Sequence, residues 1–121
     1  MESLNLPFFC PQASWVGNVT GTSLSFDVGE YKRICAVLDV EFLGGATGAL
    51  LCSIEASLDR EYWYPVAGFS VVNLWDVPFH QVLAFSPKLR YVRATAALNT
   101  SPTNDTNPCQ AFFTIKGIAT V

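Results

Sequence analysis

Three groups of side chains have the types and spacing to do chemistry. Asp59, Arg60 and Glu61 follow one another in a short connection between two apolar, alternating segments, so acids and a base are concentrated at one point. Asp39 and Glu41 stand two residues apart, which puts both carboxylates on one side of an extended strand, where such a pair can exchange protons or hold a cation. The single histidine, His80, is a candidate general base if a nucleophile meets it.

Each group also has a simpler reading. Asp59-Arg60-Glu61 has the composition of a solvated hairpin turn. No third ligand and no histidine lies near Asp39 and Glu41 in sequence, which favours two solvent-facing acids. No Ser, Asp or Cys partner for His80 can be identified, so a surface or structural histidine is the default. Cys10, Cys35, Cys52 and Cys109 are widely separated, form no C-x-x-C pair and have no neighbouring histidine, which argues against zinc. Cys35 and Cys52 sit in apolar strands, where a thiol behaves as a small hydrophobe. A disulfide framework is the alternative in an extracellular setting. Gly44-Gly45-Ala46-Thr47-Gly48 lacks the G-x-G-x-x-G spacing and a following helix, so it is a reversal and not a phosphate loop. The sequons at Asn18, Asn99 and Asn104 matter only on a eukaryotic secretory route. No catalytic, cofactor-binding or metal residue is therefore assigned, and the chain is expected not to be an enzyme.

The elements that position these residues are strands. Leu50, Cys52, Ile54 and Ala56 share one side of a segment that runs into the polar connection Asp59-Arg60-Glu61, and Trp63 to Val66 leads out of it, giving an antiparallel hairpin. Ile34, Ala36, Leu38, Val40 and Phe42 form the core side of the strongest strand. Val92, Ala94, Ala96 and Leu98 alternate in another, and Gln110 to Ala119 carries large apolar groups on both faces, as if covered by the core and by a partner. Ser23–Val28, Phe69–Asn73 and Pro78–Phe85 are further strand candidates. The run from Asn99 to Pro108 is polar and rich in breakers, a protruding loop. Residues 1 to 14 contain Pro7 and Pro11 and have no clean period, so they are expected to be an extended arm ahead of a domain at 15 to 121. The fold class is all-β, a two-layer antiparallel sandwich of jelly-roll or Ig-like type with seven to eight strands.

The 121 residues make one domain, and half of them are hydrophobic while only 14% are charged, against a usual share of roughly 25%. A domain of this size leaves about a third of its unfolded-chain surface exposed, so some apolar surface stays outside the core. Such surface marks contact with a partner, and a homo-oligomer, dimer or trimer, is expected. A formal charge of −3 argues against nucleic acid. No stretch reaches the roughly 18 apolar residues of a membrane span, and Glu2, Pro7 and Pro11 do not suit a signal peptide, so synthesis in a host cytoplasm without membrane association is expected.

Ser57-Leu58-Asp59 ends a strand, Trp63 follows four residues after Asp59, and Tyr91-Val92-Arg93 comes downstream. This pattern, spread over residues 34 to 119, resembles small β-sandwich virion proteins of tailed bacteriophages. The resemblance implies a capsid cement or decoration protein on the virion surface, whose partner is the major capsid protein, or more broadly a head or tail subunit. The expected contact residues are Leu4, Leu6, Phe8 and Phe9 on the arm, with Trp75 and Phe79. The alternative is a carbohydrate-binding or host-adhesion module that uses Tyr62, Trp63, Tyr64 or Trp75 as a stacking platform. A secreted Ig-like recognition domain is a further possibility.

Overall fold

The computed structural model describes residues 3–45, 48–73, 76–99 and 109–121. Ten strands form in them: β1 (Ser3–Val16), β2 (Val19–Thr22), β3 (Phe26–Asp27), β4 (Arg33–Gly44), β5 (Ala49–Ser57), β6 (Tyr64–Gly68), β7 (Val72–Asn73), β8 (Phe79–Phe85), β9 (Tyr91–Asn99) and β10 (Gln110–Thr120). They build two antiparallel sheets. The first has the order β1-β10-β4-β8; the second runs β2-β9-β5-β6, with β3 added on β9 and β7 on β5.

Period-two alternation sets the packing, because successive side chains on a strand point to opposite faces. Ile34, Ala36, Leu38 and Val40 of β4 and Ala111, Phe113, Ile115 and Ala119 of β10 meet Leu50, Cys52, Ile54 and Ala56 of β5 and Val92, Ala94, Ala96 and Leu98 of β9, all buried. Burial pushes the Cys52 thiol up to about 12, so it stays protonated at ordinary pH. Gly117 leaves no room for a side chain against β4: a Cβ there would lie 2.8 Å from the Cys35 carbonyl oxygen.

The sandwich has more strands than the sequence suggested, and the N-terminal stretch accounts for the main difference. Residues expected as an arm form β1, which pairs with β10 along its length, so the boundary at residue 14 falls inside a strand. Pro7 and Pro11 are tolerated because β1 is an edge strand, and the register shifts between Leu6 and Phe9 and between Phe9 and Ala13. Leu6 and Phe8 are thereby turned into the chain's own core. Leu4, Phe9 and Phe79 are partly buried against that core. Phe9 stacks edge-on to Trp15 at 5.7 Å and Phe113 at 5.5 Å. The expected contact residues on the arm are therefore corrected: Leu6 and Phe8 are internal, and Leu4 and Phe9 offer only a remainder. Trp75 and residues 100 to 108 of the run expected as a protruding loop lie outside the described residues, and Asn99, the first residue of that run, ends β9.

Two smaller corrections follow from local irregularities. Of the expected strand Ser23–Val28 only Phe26–Asp27 is a strand, β3, and Leu24 ahead of it is 80% exposed. In β4, Val40 pairs with Phe113 but Phe42 pairs with Phe112, which makes Glu41 the extra residue of a β-bulge. The bulge reverses the alternation beyond it. Phe42, expected inside, lies on the outer face beside Phe112, with ring centroids 5.3 Å apart.

Leu38 is fully buried at the centre of β4. Leu38→Ala should lower unfolding stability by about 2–5 kcal/mol, whereas Val71→Ala, at an exposed position just before β7, should change it by under about 0.5 kcal/mol, read from urea midpoints at constant slope.

Candidate functional site

The hairpin turn between β5 and β6 is built by its own side chains. Ser57 is buried, and its Oγ accepts the N–H groups of Asp59 at 3.2 Å and Arg60 at 2.8 Å while donating to Asp59 Oδ1 at 3.1 Å. Asp59 Oδ1 in turn accepts the N–H groups of Glu61 at 2.9 Å and Tyr62 at 3.2 Å. These bonds, the Glu61 and Tyr62 amides first, hold the Asp59 carboxyl below its ordinary value. The carboxylate is thus a structural acceptor that organises backbone, as Ser and Asp do in turns. Arg60 takes the left-handed conformation at φ 69°.

From that turn a polar ladder runs across the outer face of the second sheet. The β5–β9 register sets Ser57 opposite Tyr91, Glu55 opposite Arg93 and Ser53 opposite Thr95. Ser53 and Thr95 share a hydrogen bond of 2.7 Å, and Arg93 Nε donates to Glu55 Oε1 at 3.0 Å. The Arg93 guanidinium also lies 4.2 Å from the centre of the Trp63 ring, and Trp63 Nε1 donates to the Arg60 carbonyl at 3.2 Å. Arg60 lies 4.3 Å and Arg90 5.3 Å from the centre of the Tyr91 ring. Arg90 donates from Nε and Nη2 to Asp27 Oδ2 at 3.1 and 2.9 Å, which with the Gly29 N–H keeps Asp27 ionised below the usual carboxylate range. Trp63 and Tyr91 therefore carry cations on their faces; Tyr62 and Tyr64 are exposed.

The outer face of the first sheet is different. Asp39 and His80 are register partners on β4 and β8, with Nδ1 and Oδ1 2.6 Å apart, a pairing that separation in sequence concealed. Thr114 of β10 stands on the other side of Asp39. The carboxylate thus lies between hydroxyl and imidazole, whereas a nucleophilic triad needs the imidazole in the middle. Glu41, on the bulge, accepts from Gln12 at 3.1 Å instead of joining Asp39. Around these polar groups the face is apolar: Val82 is 65%, Phe42 42% and Ile118 39% exposed. A shallow groove of about 390 Å³ crosses it, lined by Pro7, Cys10, Cys35, Val37 and Ile118 among others. At the end of the sandwich an open cleft of about 1000 Å³ lies between the 27–32 and 86–90 loops, with Leu4 and Leu58 at its wall. Cys10, Cys35 and Cys52 are free thiols.

The fold recurs in solved structures. PBSX exported protein XepA superposes with a TM-score of 0.61 at 15% identity, over 99% of this chain and 37% of its own. A structure of infectious bursal disease virus, Gx strain, gives 0.59 at 13% identity, over 98% and 32%. A carbohydrate-binding module specific for non-crystalline cellulose gives 0.50 at 11% identity, over 84% and 69%. These likenesses establish a β-sandwich. The chain spans only about a third of the length of the first two proteins. No family model matches the sequence, and no curated protein matches it significantly.

Because Asp59 is held low in the folded state, its contribution to stability is full above the ordinary carboxylate value of 3.8 and is lost as pH falls through the lower folded value. Asp27 acts in the same direction. From about pH 4 downward the urea midpoint should fall more steeply for the wild-type chain than for Asp59→Asn, with Asp27 leaving the variant a residual slope. Parallel curves would contradict the role given to Asp59.

Proposed function

We propose that this chain is a non-enzymatic structural protein of a virus particle, a decoration or cement subunit that binds the capsid exterior and ties major capsid subunits together. The observation that carries the reading is the uneven surface. Apolar side chains such as Leu24, Leu58, Val82 and Phe42 are exposed on a domain with only seven basic and ten acidic residues. Groups of that kind are stable in water singly, but in contiguous patches they mark contact with other protein. Burial of several hundred Å² of such surface per contact contributes a gross gain on the order of 10 kcal/mol before association costs, and a shell repeats the contact many times. The sharing of the fold with a viral structure and with a protein named for PBSX supports the virion setting.

A second reading, a carbohydrate-binding or host-adhesion module of the particle, is favoured by one observation: Tyr62 and Tyr64 are exposed beside Trp63 at the hairpin, on a fold also found in a cellulose-specific module. Trp63 itself suits that reading less, because Arg93 covers one face of its ring and its N–H is bonded to Arg60.

Purified protein added to capsids that lack it should pellet with them to a saturating stoichiometry, and Tyr62→Ala with Tyr64→Ala should leave that pelleting intact. Failure to pellet, together with saturable glycan binding abolished by the two tyrosine substitutions, would transfer the assignment to the second reading.

A further inference from the structure

We infer that the outer face of the first sheet is a two-fold interface, on which a second copy of this chain packs with its strands reversed. The inference rests on the reading above that exposed apolar side chains are assembly contacts, and it names the partner for one of those surfaces.

The two sheets differ in how their outer faces meet water. On the second sheet the central rows are occupied by Ser53–Thr95, Glu55–Arg93 and the cation-covered Trp63 and Tyr91, each satisfied by a neighbour. On the first, the row of Val37, flanked by Lys116 and Val82, adjoins that of Cys35, flanked by Ile118 and Ala84, and beyond the bulge comes the pair Phe42 and Phe112. Asp39–His80 and Glu41–Gln12 are paired on this face too, but they leave Val37, Val82, Cys35, Ile118, Phe42 and Phe112 beside them, whereas the apolar outward row of the central strands of the second sheet is Leu51 and Ala97.

Charge and area point to a second copy as the occupant. Along β4 the outward charges run from a cation, Arg33, at one end, past Cys35 and Val37, to Asp39 and the bulged Glu41, with Phe42 beyond them. With Lys116 on β10 the face carries two basic and two acidic groups and sums to zero, although the chain as a whole carries −3. Two copies can thus meet here without the repulsion their net charge imposes elsewhere. Strands laid parallel would set Arg33 against Arg33. An end-for-end arrangement sets the cationic end against the anionic end, and a two-fold axis across the strands generates that match twice. The lengths of the four strands, at about 3.3 Å per residue and 4.8 Å between strands, give a face of roughly 700 Å² per copy. A stable interface uses about 800 Å² per partner. Association through a two-fold face closes at a dimer, and edge-to-edge growth at β1 is disfavoured by Pro7, Pro11 and two register shifts.

Sedimentation velocity on the purified chain tests this. At about ten-micromolar protein the wild type should run as a dimer, since interfaces of this size bind in the micromolar range or tighter. Val82→Glu should weaken the dimer by at least about tenfold, because an unpaired carboxylate would be desolvated, with circular dichroism unchanged. Leu51→Glu, an exposed position on the other sheet, should leave it intact. Arg33→Glu should weaken association, and combining it with Asp39→Arg should restore it. A monomeric wild type, a dimer lost in Leu51→Glu but kept in Val82→Glu, or a double reversal no better than the single one would overturn the inference. A wild-type monomer that still pellets with capsids would reject the two-fold interface alone, and a dimer that does not pellet would reject the virion reading alone.

Discussion

A strand offers alternate side chains to its two sides, so a two-layer sandwich can place only one face of each sheet in its core. Everything else about this molecule depends on what it does with the other two faces. Each of β4, β5, β9 and β10 gives its inward positions to a continuous apolar core. The outward positions of β5 and β9 carry hydroxyls, an ion pair and aromatic rings under guanidinium groups beside the exposed Leu51, whereas those of β4, β8 and β10 set Cys35, Val37, Phe42, Val82, Ala84, Phe112 and Ile118 among charged and polar groups. The same backbone architecture therefore presents two unlike outer faces, and the proposed dimer uses the one of the first sheet.

The polar ladder has a mechanical role besides solubility. Ser57 and Asp59 fix the turn, the turn places the Arg60 carbonyl under the Trp63 N–H, and Trp63 then lies against Arg93, which holds Glu55 on the neighbouring strand. A connection of six residues is tied in this way to the centre of the second sheet. Most of these groups are partly exposed, so each bond contributes modestly, and their effect lies in fixing one conformation of the hairpin.

Much of this was legible in the sequence because it is local. Alternation in β4, β5, β9 and β10 identifies the inward residues directly, and the Ser-x-Asp turn is specified within a few positions. What was not legible depends on register between distant segments. Asp39 meets His80 across 41 positions, and Glu55 meets Arg93 across 38. Phe42 was assigned to the core because one bulge residue, Glu41, reverses the pattern without any marker such as glycine. The prolines of β1 suggested an arm, since their missing donors exclude a central strand but leave an edge strand open. That reading sent Leu6 and Phe8 to an interface when they belong to the interior. The outer-face apolar side chains of the first sheet, Val37, Val82, Ile118 and Phe112, look unremarkable one at a time and come together only through the register of β4, β8 and β10.

The most direct measurement of whether that surface is covered in solution is the alkylation rate of Cys35, followed by mass spectrometry as the protein is diluted. Cys35 lies half-buried on that face, between Ile118 and Ala84, while Cys52 in the core serves as an internal standard. A covered face predicts slow modification of Cys35 at high concentration that accelerates on dilution, with Cys52 unreactive throughout. A Cys35 rate independent of concentration would contradict it.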